Sequence, residues 1–430
     1  LLHTGAESFA QHLVGRIEFA TKELRQQPPG DKDAADDIAK RELQELIDVF
    51  QPRLRLRDMV LAPNVRESLD TLLREQESWE ILRQHNLSPR RKLLLTGAPG
   101  TGKTMIAMES AIRSAAEGKI VFLTCYNRLI GSWMAKQLEG IPGIIVKSIH
   151  QFLVEKTKGF DYEKGGINDD EFYNSYLPGL AKEMFERGIF EKFDKIIIDE
   201  GQDLLRTEYL DLFEQMLIGG LNNGNCEVYG DFEKQAIYSN LKPQQMFDLL
   251  QAKGHFFRCH LKINCRNTSE IGRETARMSG FENAPYTLNI LEGIPVDYRF
   301  CTDKEDEGSK LEAIIKEITS MGVLPGKITI LSPVKMEHSV AGKLKHIRVT
   351  NLNQAKEHMV MDDKVLFSTI QAFKGLESHY VILCDIKQLS SEEARSLLYV
   401  GMSRAKFGLI IFIPKSLENE YYHILSQQID

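Results

Sequence analysis

The feature that most constrains the fold of this chain is a glycine-rich loop placed directly after a short apolar run. The run is Leu93-Leu94-Leu95-Thr96, and the loop reads Gly97-Ala98-Pro99-Gly100-Thr101-Gly102-Lys103-Thr104. A helical stretch follows from Met105 to Ser114, so the loop joins a predicted strand to a predicted helix. This is a complete GxxxxGKT pattern in the context it requires, and it predicts an α/β fold with a phosphate site.

The chemistry of the loop indicates ATP and Mg²⁺ as its ligands. Glycines allow backbone N–H groups to turn inward around phosphate oxygens, and the following helix adds the dipole of its N-terminus. We expect residues 97–104 to bind the nucleotide, with Lys103 reaching the β and γ phosphates. The hydroxyl of Thr104 is expected to ligate Mg²⁺.

A pair of acids further along the chain is predicted to complete the site. An apolar run from Phe193 to Ile198 ends in Asp199-Glu200-Gly201-Gln202-Asp203. An acid at the tip of such a strand can hold the metal ion, and a second acid beside it can orient and deprotonate the attacking water. We assign the first role to Asp199 and the second to Glu200. Acidic residues commonly begin loops, so this assignment depends on the P-loop that precedes them.

Short β-rich runs alternate with helical stretches, which predicts parallel sheets with crossover helices. The first series of predicted strands is Leu93–Leu95, Ile120–Thr124, Ile144–Val146, Ile196–Ile198 and Glu227–Tyr229. The second series is Val296–Phe300, Ile328–Leu331, Val365–Ser368, Val381–Cys384 and Leu409–Ile413. We predict two tandem α/β domains, residues 61–258 and 259–430, because 430 residues exceed one ordinary core. Residues 1–60 are predicted to be an N-terminal helical region that covers the next domain or, alternatively, binds a partner.

The composition excludes several classes of protein. No apolar run approaches the length of a membrane span, and residues 1–20 lack a basic start followed by an apolar core. The six cysteines are scattered without a paired CxxC framework, which favours a reducing cytoplasm. The net charge of −7 indicates that a nucleic acid would be held by a local groove rather than by the whole surface. We expect a cytoplasmic protein with no membrane partner.

The string from Asp199 to Asp203 resembles motif II of the UvrD/Rep branch of superfamily 1 helicases, and further similar segments follow that family's order. They are Thr124–Arg128 (motif Ia), Ser148–Phe152, Gly230–Tyr238 (motif III), Asn264–Thr268 (motif IV), Thr369–Glu377 (motif V) and Tyr399–Ala405 (motif VI). The resemblance extends over residues 93–413. It implies two RecA-like domains that close on ATP, and single-stranded nucleic acid as the partner.

The resemblance also implies roles for individual residues. Gln202 and Gln235 would sense the γ-phosphate, and Glu377 would contact the ribose. Arg266 and Arg404 would be arginine fingers of the second domain, because a planar guanidinium stabilises the charge that phosphoryl transfer spreads over the γ oxygens. The implied strand contacts are Tyr126, Asn127, His150, Thr369 and Gln371.

Several departures from the family affect the contacts to bases. Cys265 stands where the family usually has an aromatic residue that stacks on adenine. Asn240 and Leu241 stand where a tryptophan and an arginine are usual, and stacking on such a tryptophan is worth roughly 1–3 kcal/mol per base. The short segments between the motifs also leave little room for the large inserted subdomains of UvrD and Rep.

We interpret the chain as a superfamily 1-type helicase or translocase that couples ATP hydrolysis to single-stranded nucleic acid, with DNA favoured over RNA. The rival interpretation is a regulatory P-loop ATPase switch within a protein complex, docked through the N-terminal helical region. A scaffold with an inactive ATP site is a third, and the intact P-loop, acid pair and arginines argue against it.

Overall fold

The computed structural model describes residues 66, 67, 69–71, 74, 91–158, 168–232, 242–280, 293–354 and 363–426. The predicted N-terminal helical region, residues 1–60, lies outside these ranges. The described residues form two α/β units, each built on one parallel sheet. This confirms the predicted fold class of two RecA-like α/β domains in tandem.

The first unit contains a sheet of six strands within the described residues. They are β1 (Lys92–Gly97), β2 (Val121–Cys125), β3 (Ile144–Ser148), β4 (Lys195–Ile198), β5 (Asn225–Gly230) and β6 (Phe257–Leu261). Their spatial order is β3-β2-β4-β5-β1-β6, and all neighbouring strands run parallel. The helices are α1 (Lys103–Ala116), α2 (Arg128–Gln137), α3 (Ile149–Thr157), α4 (Asp169–Glu171), α5 (Leu177–Glu186), α6 (Thr207–Met216), α7 (Gly220–Asn223) and α8 (Pro243–Lys253). A π-helical turn, Phe172–Tyr176, joins α4 to α5.

The second unit repeats this plan in the described part of the chain. Its strands are β7 (Asp297–Cys301), β8 (Ile328–Ser332), β9 (Val349–Asn351), β10 (Val365–Thr369), β11 (Ser378–Leu383) and β12 (Ala405–Pro414). Their order is β7-β12-β11-β8-β10-β9, again parallel throughout. The helices are α9 (Ser269–Ser279), α10 (Lys304–Ser320), α11 (Glu392–Met402) and α12 (Glu418–Ser426). None of the described helices has both the length and the apolar character needed to cross a membrane.

Each sheet is buried on both faces, which explains the uninterrupted apolar runs of its central strands. Ile196 and Ile198 of β4 pack into one core of the first unit, whereas Ile197 packs into the core on the opposite face. In the second unit Ile382 and Leu383 of β11 are likewise divided between two cores. Alternate residues of a strand point to opposite faces, so a strand with helices on both sides has to be apolar at every position.

All ten predicted strands overlap observed strands, but β6 and β9 were not predicted. Both lie at a sheet edge, where only alternate residues need to be apolar. In β6 Cys259 and Leu261 are buried while Arg258 and His260 are exposed, so the strand lacks a continuous apolar run. The predicted domain boundary between residues 258 and 259 falls inside β6, which pairs with β1 of the first sheet.

A buried carboxyl group in the second unit responds to pH. Glu307 on α10 is buried, and one of its oxygens accepts a hydrogen bond from the backbone N–H of Asp385 at 2.8 Å. Burial, together with the charge of the neighbouring Asp385, raises the pKa of Glu307 from 4.5 to about 7, although the hydrogen bond from Asp385 acts in the opposite direction. The pKa of such a carboxyl group is higher in the folded protein than in the unfolded chain. The group therefore lowers the stability of the fold as the pH rises from the pKa of the unfolded chain through the pKa of the folded protein.

We therefore expect Glu307→Gln to stabilise the protein by about 1–3 kcal/mol at pH 8 and much less at pH 5. The amide keeps the acceptor oxygen but carries no charge at either pH. Thermal unfolding at the two pH values measures the effect, with the exposed Glu317→Gln on the same helix as the control. An equal gain at pH 5 and pH 8 would contradict the assignment.

Candidate nucleotide site

The P-loop lies at the carboxyl end of β1 and is packed against the chain that leads into the second unit. Gly100 has a φ of +78°, and a Cβ there would lie 2.3 Å from the side-chain oxygen of Asn264 and 2.8 Å from Cβ of Arg266. Its carbonyl accepts a hydrogen bond from the N–H of Cys265 at 2.8 Å. Glycine is required at this position, and the contact places the motif IV segment beside the phosphate loop.

Lys103 and Thr104 begin α1 and direct their side chains into the site. The ammonium of Lys103 is buried and donates to the carbonyl oxygens of Gly97 and Ala98 at 2.6 and 2.9 Å. Burial lowers the pKa of Lys103, while the charges of Glu200, Asp231 and Asp199 act in the opposite direction. The hydroxyl of Thr104 donates to Oδ2 of Asp199 at 2.8 Å.

Asp199 has the environment of a metal ligand. It is fully buried at the end of β4, and burial together with the charge of Glu200 raises its pKa to about 7. Its Oδ1 has no hydrogen-bond partner among the described residues. An orphaned carboxylate oxygen beside a threonine hydroxyl fits a hard divalent cation, because Mg²⁺ prefers oxygen ligands. The residues present therefore fit the Mg²⁺ that the P-loop implies.

Glu200 is held in an unusual backbone conformation next to this aspartate. It is a non-glycine residue in the left-handed region, with φ +52° and ψ +44°, and its side chain is buried. Burial alone would raise its pKa, but the charges of Lys374, Lys103 and Arg404 hold the pKa below its usual value. The carboxylate is therefore ionised and can accept a proton, as a general base must.

Gln202 links Glu200 to the end of β5. Its amide nitrogen donates to Oε2 of Glu200, and its amide oxygen accepts from the N–H of Asp231 at 3.1 Å. The nitrogen and the oxygen of the side-chain amide therefore connect motif II with the start of motif III. The other predicted γ-phosphate sensor, Gln235, lies outside the described residues.

The two predicted arginine fingers lie close enough to influence each other. Nε of Arg266 pairs with Oε2 of Glu377 at 2.7 Å, and Lys406 pairs with the other oxygen at 2.6 Å. Against the effect of burial, these two cations lower the pKa of Glu377 to about 2. The predicted ribose contact is thus held by one of the predicted fingers.

Arg404 is 1% exposed, and its guanidinium is held from within its own motif. Nε donates to the carbonyl of Val400 at 2.9 Å, and Nη2 donates to the hydroxyl of Ser403 at 2.8 Å. Burial and the charge of Arg266 lower the pKa of Arg404 to about 9, although the negative charge of Glu200 acts to raise it. The structure therefore brings motifs II, IV, V and VI together around the P-loop.

The predicted strand contacts lie at the adjoining strand ends and are partly engaged within the protein. The ring of His150 lies 4.8 Å from that of Tyr126, and its Nε2 bonds to the hydroxyl of Tyr209 at 2.7 Å. Burial lowers the pKa of His150 to about 4, so the ring is neutral near pH 7. Asn127 caps α2 with its oxygen and donates through its nitrogen to the loop after β10.

Thr369 is the last residue of β10, and Gln371 lies in the loop that follows it, on the second unit. The hydroxyl of Thr369 accepts from the N–H of Ala372 at 3.3 Å, and the carbonyl of Gln371 accepts from Asn127 at 3.3 Å. Of the five predicted strand contacts, Asn127 and Gln371 therefore bond to each other across the two units.

Two residues in this region had no predicted role of their own. Lys374, quoted only as part of motif V, is 1% exposed and lies 2.5 Å from Oδ2 of Asp203 in the first unit. Tyr173 lies on the π-helical turn, with its ring 5.5 Å from that of His150. The lysine could have been noticed as the one cation among residues 370–377, whereas nothing in the sequence singles out Tyr173.

A P-loop, an acid pair and basic residues of the second α/β unit thus lie together in the described part of the chain. Residues 364–412 match the family model of the UvrD-like helicase C-terminal domain. This confirms the predicted resemblance to the UvrD/Rep-like helicases, and the matched segment contains the loop after β10 and the motif VI helix α11.

The chain is also similar to individual proteins over parts of its length. An uncharacterized AAA family ATPase, y4kL of Sinorhizobium fredii (strain NBRC 101917 / NGR234), is 33% identical over 127 residues, or 29% of this chain. The aligned part spans only 34% of that relative's length. Similar solved structures include the C-terminal domain of a possible DNA helicase from Lactobacillus plantarum, with 21% identity over 35% of this chain and 86% of that chain, at a TM-score of 0.29. Dbp5 of S. cerevisiae bound to RNA and ADP BeF3 has 14% identity over 85% of this chain and 91% of that chain, at a TM-score of 0.46.

The roles predicted for Lys103 and Glu200 separate nucleotide binding from hydrolysis, and two variants test this prediction. Lys103→Ala is expected to weaken ATP binding and abolish turnover, because it removes the cation that faces the phosphates. Glu200→Gln is expected to lower kcat by about 10²-fold or more while ATP stays bound, because it removes the base. Phosphate release and binding of a fluorescent ATP analogue distinguish the two effects. Near-normal turnover by Glu200→Gln would remove Glu200 from the mechanism.

Arg266→Ala and Arg404→Ala are each expected to lower kcat by about 10³-fold with a smaller effect on ATP affinity, since both would act mainly in the transition state. The matched control is Arg277→Ala, whose guanidinium pairs with Glu274 on the surface of α9. Melting temperatures identify any variant that fails to fold. Wild-type turnover by both variants would mean that the second unit does not complete the site.

Proposed function

We propose that this chain is a superfamily 1-type helicase or translocase that hydrolyses Mg²⁺-ATP and moves along single-stranded nucleic acid, DNA in the first place. One observation carries the proposal. The loop after β10, residues 370–377, contains a predicted strand contact, Gln371, and also brings Lys374 and Glu377 to the nucleotide site. A single segment of the second unit therefore borders both the strand side and the ATP side.

In the proposed mechanism the chemistry is divided between the two units. Lys103 and the backbone N–H groups of the P-loop bind the β and γ phosphates, and Glu200 accepts the proton of the attacking water. Arg266 and Arg404 stabilise the charge that develops on the γ oxygens. Mg²⁺, held by Thr104 and Asp199, would neutralise phosphate charge. Hydrolysis then requires the two units to be closed on each other, which makes it a step that can drive movement.

The proposed strand surface is an aromatic ledge formed by Tyr126, His150 and Tyr173, all half-buried. The ring of His150 lies between the other two, with centroids 4.8 Å from Tyr126 and 5.5 Å from Tyr173. The guanidinium of Arg206 lies 5.9 Å from the neighbouring Tyr209 ring and supplies positive charge. Aromatic faces stack on bases without regard to sequence, and this ledge would substitute for the tryptophan that motif III lacks.

The regulatory switch remains the second candidate, because two predicted strand contacts are engaged elsewhere. The amide nitrogen of Asn127 donates to three carbonyl oxygens of the loop after β10. His150 is hydrogen-bonded to Tyr209 and carries no charge near pH 7. A switch within a protein complex would need the ATP cycle but not the strand.

We expect single-stranded DNA to stimulate ATP turnover, while long tailed duplexes are displaced poorly because the chain lacks large insertions to split them. Turnover is measured against oligonucleotide length, and strand displacement is measured in the same buffer. The apparent affinity is expected to fall steeply with salt, since a protein of net charge −7 holds phosphates only through local cations. Absence of stimulation by any DNA or RNA would favour the switch.

Tyr173→Ala is expected to weaken strand binding by about 5- to 150-fold, which corresponds to a loss of roughly 1–3 kcal/mol of stacking. The control is Tyr422→Ala, an exposed tyrosine on α12 of the second unit. Fluorescence anisotropy of labelled oligonucleotides measures both affinities. Equal affinities of Tyr173→Ala and the wild type would exclude the ledge as the strand surface.

A further inference from the structure

The side chain of one lysine of the second unit forms an ion pair with an acid of the first unit. Lys374 belongs to the loop between β10 and β11, yet its ammonium lies 2.5 Å from Oδ2 of Asp203 and 4.0 Å from Oε2 of Glu200. Lys374 and Asp203 are each 1% exposed, and Glu200 is 7% exposed. Water is thus largely excluded from these three charges, and they act on one another more strongly than they would at a surface.

The loop that carries Lys374 is fastened to the first unit on both sides of the lysine. Asn127 donates to the carbonyl oxygens of Gln371, Ala372 and Lys374 at 3.3, 2.7 and 3.3 Å. On the other side Gly375 has a φ of +87°, and a Cβ there would lie 2.4 Å from Cδ1 of Ile130 on α2. The position of the ammonium therefore depends on how this loop is docked.

The acids that receive the lysine form one short turn. The N–H of Asp203 donates to the carbonyl of Glu200 at 3.1 Å, within the 3₁₀ turn that follows the left-handed Glu200. A residue in the left-handed region persists only where its surroundings hold it there. An ion pair to Asp203 restrains this turn, and the same ammonium attracts the Glu200 carboxylate directly.

We propose that Lys374 is the positioning residue through which the loop after β10 holds Glu200 ready for hydrolysis. A docked loop places the ammonium between the two carboxylates, and a displaced loop withdraws it. The part of the proposal that makes strand binding the trigger rests on the proposed function, because Gln371 lies in the same loop. The effect of Lys374 on turnover without a strand does not depend on it.

The test compares Lys374→Met, Lys374→Arg and the double variant Lys374→Met/Asp203→Asn. The methionine is similar in length but uncharged, and the arginine keeps the charge. The double variant removes the charge of the buried Asp203 carboxylate, which Lys374→Met would leave without its ion pair to Lys374. Turnover with and without single-stranded DNA, binding of an ATP analogue and the melting temperature are measured for each variant and for the wild type.

We expect Lys374→Met to lower kcat by about tenfold or more, with and without the strand, while ATP affinity changes less than about threefold. Lys374→Arg should recover most of the turnover. The double variant should regain thermal stability but keep the low kcat, because it still lacks the cation beside Glu200.

Other outcomes distinguish a failure of the positioning role of Lys374 from a failure of the proposed strand motor. If the double variant recovers wild-type turnover together with its stability, Lys374 has only a structural role and the proposal is wrong. Wild-type kcat in Lys374→Met would also overturn it, even if DNA stimulates both proteins. If DNA stimulates no variant but Lys374→Met still has a low kcat at unchanged ATP affinity, the positioning role stands and the strand motor fails.

Discussion

Three carboxylates at the end of β4, those of Asp199, Glu200 and Asp203, are buried together, and the arrangement of the site depends on how their charge is balanced. Burying ionised groups is costly unless they are paired or hydrogen-bonded. Within the first unit, Lys103 and the hydroxyl of Thr104 face these acids. The second unit adds Lys374 by a direct ion pair. The second unit therefore contributes to the electrostatic balance of the acids, and the candidate nucleotide site includes residues of both units.

Backbone strain occurs in both units but has a different meaning in each. Glu200 follows β4 with a φ of +52°, and Asp385 follows β11 with a φ of +59°. The carboxylate of Asp385 accepts hydrogen bonds from Ser332, Ser339 and the N–H of Val340, which is a closed structural network. Glu200 instead faces Lys374 and the P-loop. A left-handed residue after a strand therefore indicates a functional site only when reactive groups surround that residue.

The central strands of both sheets could be predicted from the sequence, whereas some of the edge strands could not. Central strands such as β4 are apolar at every position, because helices cover both faces of the sheet. The edge strands β6 and β9 were not predicted, because the apolar positions of β6 alternate and those of β9 are few. The P-loop was assigned from a local pattern alone, whereas the acid pair was assigned from a local pattern together with the P-loop that precedes it. The roles of Arg266, Arg404 and Glu377 came from resemblance, and no local pattern indicates that Arg266 pairs with Glu377.

The sequence by itself determined the P-loop, because strand, glycines, lysine and helix are contiguous and the chemistry of phosphate binding requires that order. It also determined the tandem α/β plan through the alternation of apolar runs and helical stretches. Only the tertiary structure decided which charges meet. Lys374 and Asp203 are 171 positions apart, and Asn127 reaches carbonyl oxygens as far as 247 positions away. Contacts of this kind depend on how the two sheets pack against each other, because charges act strongly on one another only where water is excluded between them.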